Sequence, residues 1–332
     1  MRSKLLSLVS LLSLLLATSC LDHREPVNPS QLQVQDFASR LAAPIGLAID
    51  DKGLLWVTEV AAGRVSVITP DGKSYPAITG FSVAVSPENT PDGLNHLIYK
   101  EGILYILHGV DEKLYIANVA SFKPGDQPLT VGQLASAPIG QFVLDYKFAQ
   151  DTDDSNLYNL TFGPDGDLYI ADAGANAIIR RTKAGALSVF ATIPGIANST
   201  PVGPPIIQAV PTGIVFDGTK FLVSTLLGFP FPSNKARIYQ VDTAGTVSLY
   251  QDGFTSLVDI ILGADKQPIV VTVAEFGQMG FTPNTGRVSR TNGNQITPLL
   301  QGLNLPTSIV GGAANTYYIS SLVNGTVQKI SY

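Results

Sequence analysis

One pattern recurs six times along the chain, and this recurrence restricts the fold more than any other sequence feature. Each copy has a half-apolar strand, a short turn and a second, almost continuously apolar strand. The copies begin 46 to 63 residues apart, at Pro44, Leu94, Leu157, Pro211, Leu257 and Pro306. Units of about 40–50 residues that hold several strands are typical of propeller blades. The sequence therefore predicts an all-β fold, a six-bladed β-propeller.

Each copy also supplies outer strands. The apolar second strands, such as LLWV and PIVVTV, indicate strands covered on both faces by neighbouring blades. Third strands are predicted near Arg64, Lys113, Ala177, Arg237, Arg287 and Thr326. Fourth strands are recognisable in four copies, near residues 74, 187, 247 and 296. We interpret residues 121–155, within the longest interval, as an insertion on one face.

The two ends of the repeat region complement each other. The sixth copy stops at Tyr332 after its third strand, whereas Gln31–Leu41 has the character of a fourth strand with no unit before it. We predict that this N-terminal strand completes the last blade, because such pairing removes two exposed sheet edges. No linker interrupts the repeat, so residues 31–332 are predicted to form one domain.

The first thirty residues have a different character. Arg2 and Lys4 precede the apolar run Leu5–Leu16, which is typical of a secretory signal, and small residues lead to Cys20. We predict a lipoprotein signal peptide over residues 1–19, lipidation of Cys20 and a polar tether over residues 20–30. The alternative is an ordinary signal peptide with a chance cysteine. Leu21 after the cysteine favours the outer membrane, so the predicted location is the cell envelope.

Composition excludes several function classes. The net charge is -5, which does not suit a nucleic-acid-binding protein. A single cysteine excludes a disulfide framework and a cysteine-based zinc site. The presence of only three histidines argues against a multi-histidine metal centre. The sequence contains no GxSxG, Walker, HExxH or dinucleotide-binding motif. We expect a monomer that binds a small molecule or a protein.

In a propeller, the first strand of each blade lines the central channel. The third residues of the six copies are Gly46, His96, Asn159, Gly213, Asp259 and Ser308. Four polar side chains should therefore converge on the axis, with the two glycines leaving room. Oxygen ligands of this kind suit Ca²⁺, which takes six to eight of them. The alternative is a water-filled channel whose polar groups satisfy one another and solvent.

Other candidates have structural interpretations beside the functional ones. Glu59, Asp172 and Glu275 follow second strands and could form an acidic rim or merely cap turns. The run from Asp151 to Asn156 resembles a calcium loop but lacks the glycine and distant glutamate of an EF-hand, which favours a solvated loop. His96 and His108 lie near opposite ends of one hairpin, so we do not expect a catalytic dyad.

The segment Leu226–Arg237 (LLGFPFPSNKAR) is the most distinctive loop. Phe229, Pro230, Phe231 and Pro232 make it a stiff apolar projection between the second and third strands of blade four. It either contacts a ligand or partner on one propeller face, or packs over the neighbouring blade.

The run AVPTGIVFDGTKFLVSTLLGFPFPSNKARIYQV and the segment DSNLYNLTFGPDGDLYIADAGANAIIR are similar to the ScyD/ScyE family of secreted, NHL-like propellers. The resemblance covers roughly residues 40 to 330. Leu157 stands where the family usually has Pro, and Asn159 where it usually has Gly. The resemblance implies a six-bladed propeller and supplies no catalytic residues, and fold alone does not supply function.

Two hypotheses follow. The first is a lipid-anchored, non-catalytic binding or scaffolding propeller at the cell envelope, with no cofactor. The second is a Ca²⁺-dependent hydrolase or lactonase that resembles the gluconolactonase and paraoxonase propellers. Only Asn159 and Asp259 match the ligands that this resemblance implies, and the channel positions contain no glutamate. We therefore rank the binding protein first.

Overall fold

The computed structural model describes residues 32–86, 90–149, 153–313 and 316–331. Within these residues the fold is almost entirely β, with one short α-helix, α1 (Gly140–Asp145), and two 3₁₀ helices of three residues each, Val60–Ala62 and Val131–Gln133. Six main sheets form a closed ring, so the predicted six-bladed propeller is confirmed. The described residues include no helix long and apolar enough to cross a membrane. The predicted signal peptide, Cys20 and the tether lie outside the described residues.

The four main strands of each blade run antiparallel, and the innermost strand comes first in the chain. The one exception is β1 (Gln33–Ala38), which precedes all the others in the chain but is the outermost strand of blade 6. Blade 1 contains β2 (Pro44–Ile49), β3 (Leu55–Glu59), β4 (Arg64–Ile68) and β5 (Ser74–Thr79). Blade 2 contains β8 (Leu94–Lys100), β9 (Ile103–His108), β10 (Lys113–Asn118) and β12 (Ala135–Pro138). Blade 3 contains β13 (Leu157–Phe162), β14 (Leu168–Asp172), β15 (Ala177–Arg181) and β16 (Leu187–Thr192).

The second half of the ring repeats this order. Blade 4 contains β19 (Pro211–Phe216), β20 (Phe221–Thr225), β21 (Ala236–Val241) and β22 (Val247–Phe254). Blade 5 contains β23 (Leu257–Leu262), β24 (Pro268–Thr272), β27 (Gly286–Thr291) and β28 (Ile296–Leu303). Blade 6 contains β29 (Pro306–Gly311), β30 (Thr316–Ser321) and β31 (Thr326–Ser331), completed by β1.

Short strands decorate the loops between these elements. They form three two-stranded ribbons: β6 (Ala84–Val85) with β7 (Pro91–Asp92), β17 (Ile196–Ala197) with β18 (Ile206–Ile207), and β25 (Phe276–Gly277) with β26 (Gly280–Phe281). A further strand, β11 (Leu129–Thr130), pairs in parallel with β5 and makes blade 1 five-stranded. Residues 121–155 are therefore not simply an insertion. They supply β11 and also β12, the fourth strand of blade 2, which the sequence pattern did not reveal.

Six hydrophobic clusters lie between neighbouring blades, one at each junction. The apolar second strands explain this arrangement, because every residue of β3, β14, β20 and β24 is buried. The fourth residue of every copy lies in one of these clusters: Leu47, Leu97, Leu160, Ile214, Ile260 and Ile309. Burying one such side chain stabilises a fold by about 1.5–3 kcal/mol. The ring is therefore held together mainly by apolar contacts between blades.

The N-terminal strand closes the ring as predicted, over Gln33–Ala38 within the expected Gln31–Leu41. It pairs antiparallel with β31, so that Gln33 lies opposite Ser331 and Ala38 opposite Val327. Ala38 also packs into the cluster between blades 6 and 1, beside Leu41. The closure therefore combines a strand ladder with buried apolar contacts.

The two faces of the propeller carry different connections. We call the face with the loops between second and third strands, such as 226–235 and 273–285, the upper face. The lower face carries the tight turns after the first and third strands, such as 50–54 and 69–73. Because the β31 strand starts at the upper face and β1 runs antiparallel to it, the chain enters β1 from the lower face.

Candidate functional site

Every innermost strand is irregular near its start. In all six blades the pairing with the second strand shifts register between the first residue and the third or fourth, as expected of a β-bulge. A bulge inserts an extra, unpaired residue and changes the direction of the side chains beside it. The side chains of both the second and the third residue of a copy can therefore face the channel or a neighbouring blade.

The third-position glycines have a different role from the predicted one. A Cβ atom at Gly46 would lie 2.6 Å from the Cα of His96 in blade 2. At Gly213 it would lie 2.4 Å from Ser224 Oγ and 2.9 Å from the backbone nitrogen of Ile260. The prediction that these glycines leave room in the channel was wrong. They allow neighbouring blades to approach closely, a contact that any side chain would obstruct.

The four polar residues of this position meet at the axis, and we call them the channel layer: His96, Asn159, Asp259 and Ser308. All four are buried. Asn159 Nδ2 donates to Asp259 Oδ1 at 2.9 Å across the glycine of blade 4, and Ser308 Oγ donates to Asp259 Oδ2 at 2.8 Å. The backbone N–H groups of Ile260 and Ile309 donate to the same carboxylate at 2.8 and 2.9 Å. Asp259 thus accepts four hydrogen bonds, the usual capacity of a carboxylate.

Hydrogen bonds around this layer join the blades to one another. Asn95, Thr212 and Thr307, the second residues of blades 2, 4 and 6, each donate to the first carbonyl of the next blade, at 2.9, 2.7 and 2.9 Å. Between blades 3 and 4 the donor is Asn159 Nδ2, at 3.2 Å from the carbonyl of Thr212. The polar groups near the axis are therefore mostly used in closing the ring.

His96 differs from its three companions. Its side chain is 3% exposed, and neither ring nitrogen has a hydrogen-bond partner within the described part of the chain. Its Nε2 atom lies 3.6 Å from Asp259 Oδ2, beyond hydrogen-bonding distance, and its ring packs on Tyr158 at a centroid separation of 5.0 Å. Burial raises the pKa of Tyr158, with smaller contributions from the charges of Asp259 and Asp92. An unsatisfied buried imidazole is costly and needs an explanation.

A cavity of about 210 Å³ adjoins the channel layer. Besides the layer itself, its wall consists of the later residues of the innermost strands, among them Tyr99, Thr161 and Val215, and it contains none of the first two residues of any copy. The cavity therefore lies on the lower side of the channel layer. His96 is its least satisfied polar wall residue.

The residues of the channel do not fit the Ca²⁺ site that the second hypothesis requires. The single carboxylate of the layer already accepts four hydrogen bonds, so binding a metal would break them. His96 offers nitrogen, whereas Ca²⁺ prefers oxygen. Among the described residues, no group of three or more His, Cys, Asp or Glu side chains is placed to hold a metal ion.

Two of the three predicted rim acids are internal structural groups. Glu59 is fully buried and accepts hydrogen bonds from the backbone of Ala42, from Arg64 and from Ser66. Asp172 is also buried and binds the hydroxyl of Ser155. Both therefore fix the segment that leads into the innermost strand of their own blade.

Burial raises the pKa of the Asp172 carboxyl, although hydrogen bonds from Ala175, Asn156 and Ser155 act in the opposite direction.

The third rim acid, Glu275, differs from these two, because it is half exposed and lies 3.5 Å from Arg287. Asp153 and Asp154 are exposed, and Asp151 lies outside the described residues. These acids do not form one binding ring.

The structure also brings together Ser82, His108 and Asp111, which sequence reasoning missed. Ser82 Oγ lies 3.2 Å from His108 Nε2, but it donates its proton to Asp111 at 2.7 Å. The backbone N–H of Asp111 donates to His108 Nδ1 at 2.9 Å. In the neutral ring the proton therefore lies on Nε2, which cannot accept one from Ser82. Although it resembles a catalytic triad, this cluster does not activate a nucleophile.

Four phenylalanines gather on the upper face, and we call them the aromatic lip: Phe229, Phe231, Phe276 and Phe281. Phe231 packs on Phe276 and Phe281, with ring centroids 4.7 and 5.2 Å apart. The loop of blade 4 thus covers the loop of blade 5. Phe229 remains 53% exposed, and Met279 at the tip of the β25–β26 ribbon is fully exposed.

A third loop continues this apolar surface. The predicted prolines lie in the same projection: the Phe229–Pro230 peptide bond is cis, and Pro232 follows Phe231. A Cβ at Gly203 would lie 3.1 Å from Pro230, so loop 193–210 adjoins the lip. Val202 and Ile206 of that loop are exposed. The sequence pattern identified only one part of this surface, the loop of blade 4, because the repeat does not indicate which loops contact one another.

Comparison with known proteins shows the fold. No protein-family model and no curated protein matches the chain. Among solved structures, it is similar to a PQQ-bound aldose sugar dehydrogenase from Streptomyces coelicolor (TM-score 0.62, 14% identity, covering 92% of this chain and 99% of that one). It is also similar to a gluconolactonase from Xanthomonas campestris (0.60, 11%, 90% and 89%) and to a streptogramin B lyase (0.53, 15%, 90% and 97%).

Proposed function

We propose that this protein is a lipid-anchored, non-catalytic binding propeller of the cell envelope that holds a protein partner on its aromatic lip. The observation that carries the proposal is the exposure of Phe229 and Met279 on a surface built from three loops. Contiguous apolar surface on a soluble domain is typical of an interaction site. Exposed aromatic and methionine side chains are also enriched at protein interfaces.

The position of the lip supports a partner rather than the membrane as its occupant. The chain enters β1 from the lower face, whereas the lip is on the upper face. A protein attached through a lipid on Cys20 would therefore be tethered from the side opposite the lip. The lip would then be free to meet another envelope protein.

The chemistry of the polar groups supports a binding function over a hydrolytic one. The Asp259 carboxylate has no free acceptor position for a substrate or metal. His108 carries its proton on the nitrogen that faces Ser82. General base catalysis needs an acceptor within reach of the proton that it removes, and neither group meets this requirement.

We also propose membership of the ScyD/ScyE family, on the motif resemblance between Asp154 and Glu275. The lyase, lactonase and dehydrogenase named above are less than 25% identical to this chain, so their activities do not transfer to it.

Photo-crosslinking in the native cells tests the proposal. A photoreactive residue replaces Met279 in the lip or, as the control, Asp71 in an exposed turn of the lower face. We expect an adduct of one defined mass from position 279 and none from position 71. Adding Phe229→Ser should reduce the adduct at least about tenfold, equivalent to about 1.4 kcal/mol of binding energy. Equal labelling at both positions, or no adduct at position 279, would refute the proposed partner surface.

The anchor is checked in the same cells. Cys20→Ser should move the protein from the membrane fraction to the soluble fraction, because the acyl chains provide the membrane affinity. If the variant stays in the membrane pellet, the lipidation proposal is wrong even where the crosslink persists.

A further inference from the structure

We propose that the cavity beneath the channel layer is a binding site for a small primary amine, bound as its ammonium ion with His96 as its hydrogen-bond acceptor and the Asp259 carboxylate as the nearby negative charge. This inference concerns the opposite end of the channel from the aromatic lip and does not rest on the proposed partner surface. It assigns a ligand chemistry to the one polar group of the layer that lacks a partner.

His96 provides the hydrogen-bond acceptor. A neutral imidazole has one nitrogen that accepts and one that donates, and here both are buried without a partner among the described residues. The second His of this region, His108, is equally buried, but both of its nitrogens are satisfied, by the backbone of Asp111 and by the carbonyl of Ser82 at 3.0 Å. The lack of partners at His96 is therefore a property of the channel and not of buried histidines in this fold.

Asp259 provides the charge. Its side chain is 6% exposed, and the one ion-pair partner within 4 Å among the described residues is His96, which is charged only when protonated. The four hydrogen bonds to Asp259 come from uncharged amide and hydroxyl groups. A buried negative charge without a cation is unfavourable. A positive ligand beside His96 Nε2 would supply the missing cation without displacing any of these bonds.

The walls set the size and polarity of the remainder of the ligand. Leu97, Leu160 and Ile260 are among the aliphatic residues that line the cavity around the polar layer. The volume of about 210 Å³ accommodates a short alkyl chain. An anionic ligand is disfavoured because it would lie beside the Asp259 charge. A neutral alcohol can bind His96 but gains nothing from that charge.

Imidazole NMR provides a direct test, because the chain has only three histidines: His23 in the predicted tether, His96 and His108. The full-length mature protein, labelled with ¹⁵N in its histidines, is titrated with butylammonium, 1-butanol and butyrate at equal ionic strength. We expect butylammonium to shift the His96 signals in a saturable manner and to leave those of His108 unchanged. Its affinity should exceed that of 1-butanol at least about tenfold.

Two variants complete the test. His96→Phe removes both ring nitrogens but breaks no hydrogen bond, so this variant should fold, and ligand-observed NMR should show that it no longer binds butylammonium. Asp259→Asn should bind butylammonium no more tightly than 1-butanol, provided that it folds. The proposal is overturned if His96 does not respond to butylammonium, if the alcohol or butyrate binds equally well, or if His96→Phe retains the amine.

Discussion

Blade 5 contributes Asp259 to the channel layer and Phe276 to the aromatic lip. The two regions differ in how completely other residues contact their side chains. Asp259 is buried and has every acceptor position filled from blades 3, 5 and 6. The lip is closed on one side, where Phe231 packs on Phe276, and open on the other, where Phe229 is exposed. The channel layer therefore contributes to closing the ring, whereas the exposed Phe229 of the lip contributes little to folding.

The largest expected effect follows from removing the centre of the channel layer. Asp259→Ala leaves two backbone N–H groups and the side chains of Asn159 and Ser308 without their acceptor, and each unsatisfied group costs about 1–3 kcal/mol. We expect the free energy of unfolding in urea to fall by at least about 3 kcal/mol. Phe229→Ser in the lip is the control and should change it by less than about 0.5 kcal/mol.

Similar losses from both variants would remove the contrast between the two regions.

Millimolar Ca²⁺ should leave the unfolding midpoint of the wild-type protein unchanged. A Ca²⁺-dependent rise that disappears in Asp259→Asn would instead favour the metal-dependent hydrolase.

A smaller loss is expected at the blade junction beside the channel layer. Gly46→Ala places a methyl group 2.6 Å from the backbone of His96, a clash that requires the blades to move apart. Overpacking of this kind costs about 1–3 kcal/mol. Gly132→Ala is the matched control, because its Cβ would meet nothing within 4 Å and its backbone needs no positive φ. If thermal unfolding shows the two variants to be equally stable, blade contact is looser than the structure indicates.

The smallest effect depends on pH and comes from Tyr158, which packs on His96. Its pKa is raised above the ordinary 10.0, chiefly by burial. Above pH 10 the unfolded chain loses this proton while the folded protein keeps it, so folding stability falls as the pH rises. Wild type should lose about 1.4 kcal/mol per pH unit relative to Tyr158→Phe above pH 10, and the difference between them should be constant below it. Parallel curves throughout would show that this hydroxyl is not shielded from water.

The repeat made the architecture predictable because each copy must bury two faces of its second strand, and only a ring of blades does this for all six. The same reasoning placed His96, Asn159, Asp259 and Ser308 at one level of the channel. It failed for Gly46 and Gly213, because the register shift that turns their Cβ positions toward the next blade leaves no trace in the sequence pattern.

Neither strand β12 nor the contacts between loops could be predicted from the sequence, for a related reason. The strand β12 is short and mostly exposed, so it lacks the apolar alternation of other fourth strands. The lip combines Phe231 with Phe276 and Phe281, some fifty residues later. The cluster of Ser82 with His108 joins residues 26 apart. Nothing local in these segments specifies their partners, which the closure of the ring alone brings together.

The pairing of β1 with β31 has a mechanical consequence. Tension between the predicted N-terminal tether and a partner held on the upper face would pull β1 along its own axis, in shear against its neighbour, because the chain enters this strand from the lower face. The rungs between Gln33 and Ala38 would then share the force simultaneously instead of opening one after another. The proposed anchorage at this end would thus load this strand pair in its more resistant direction.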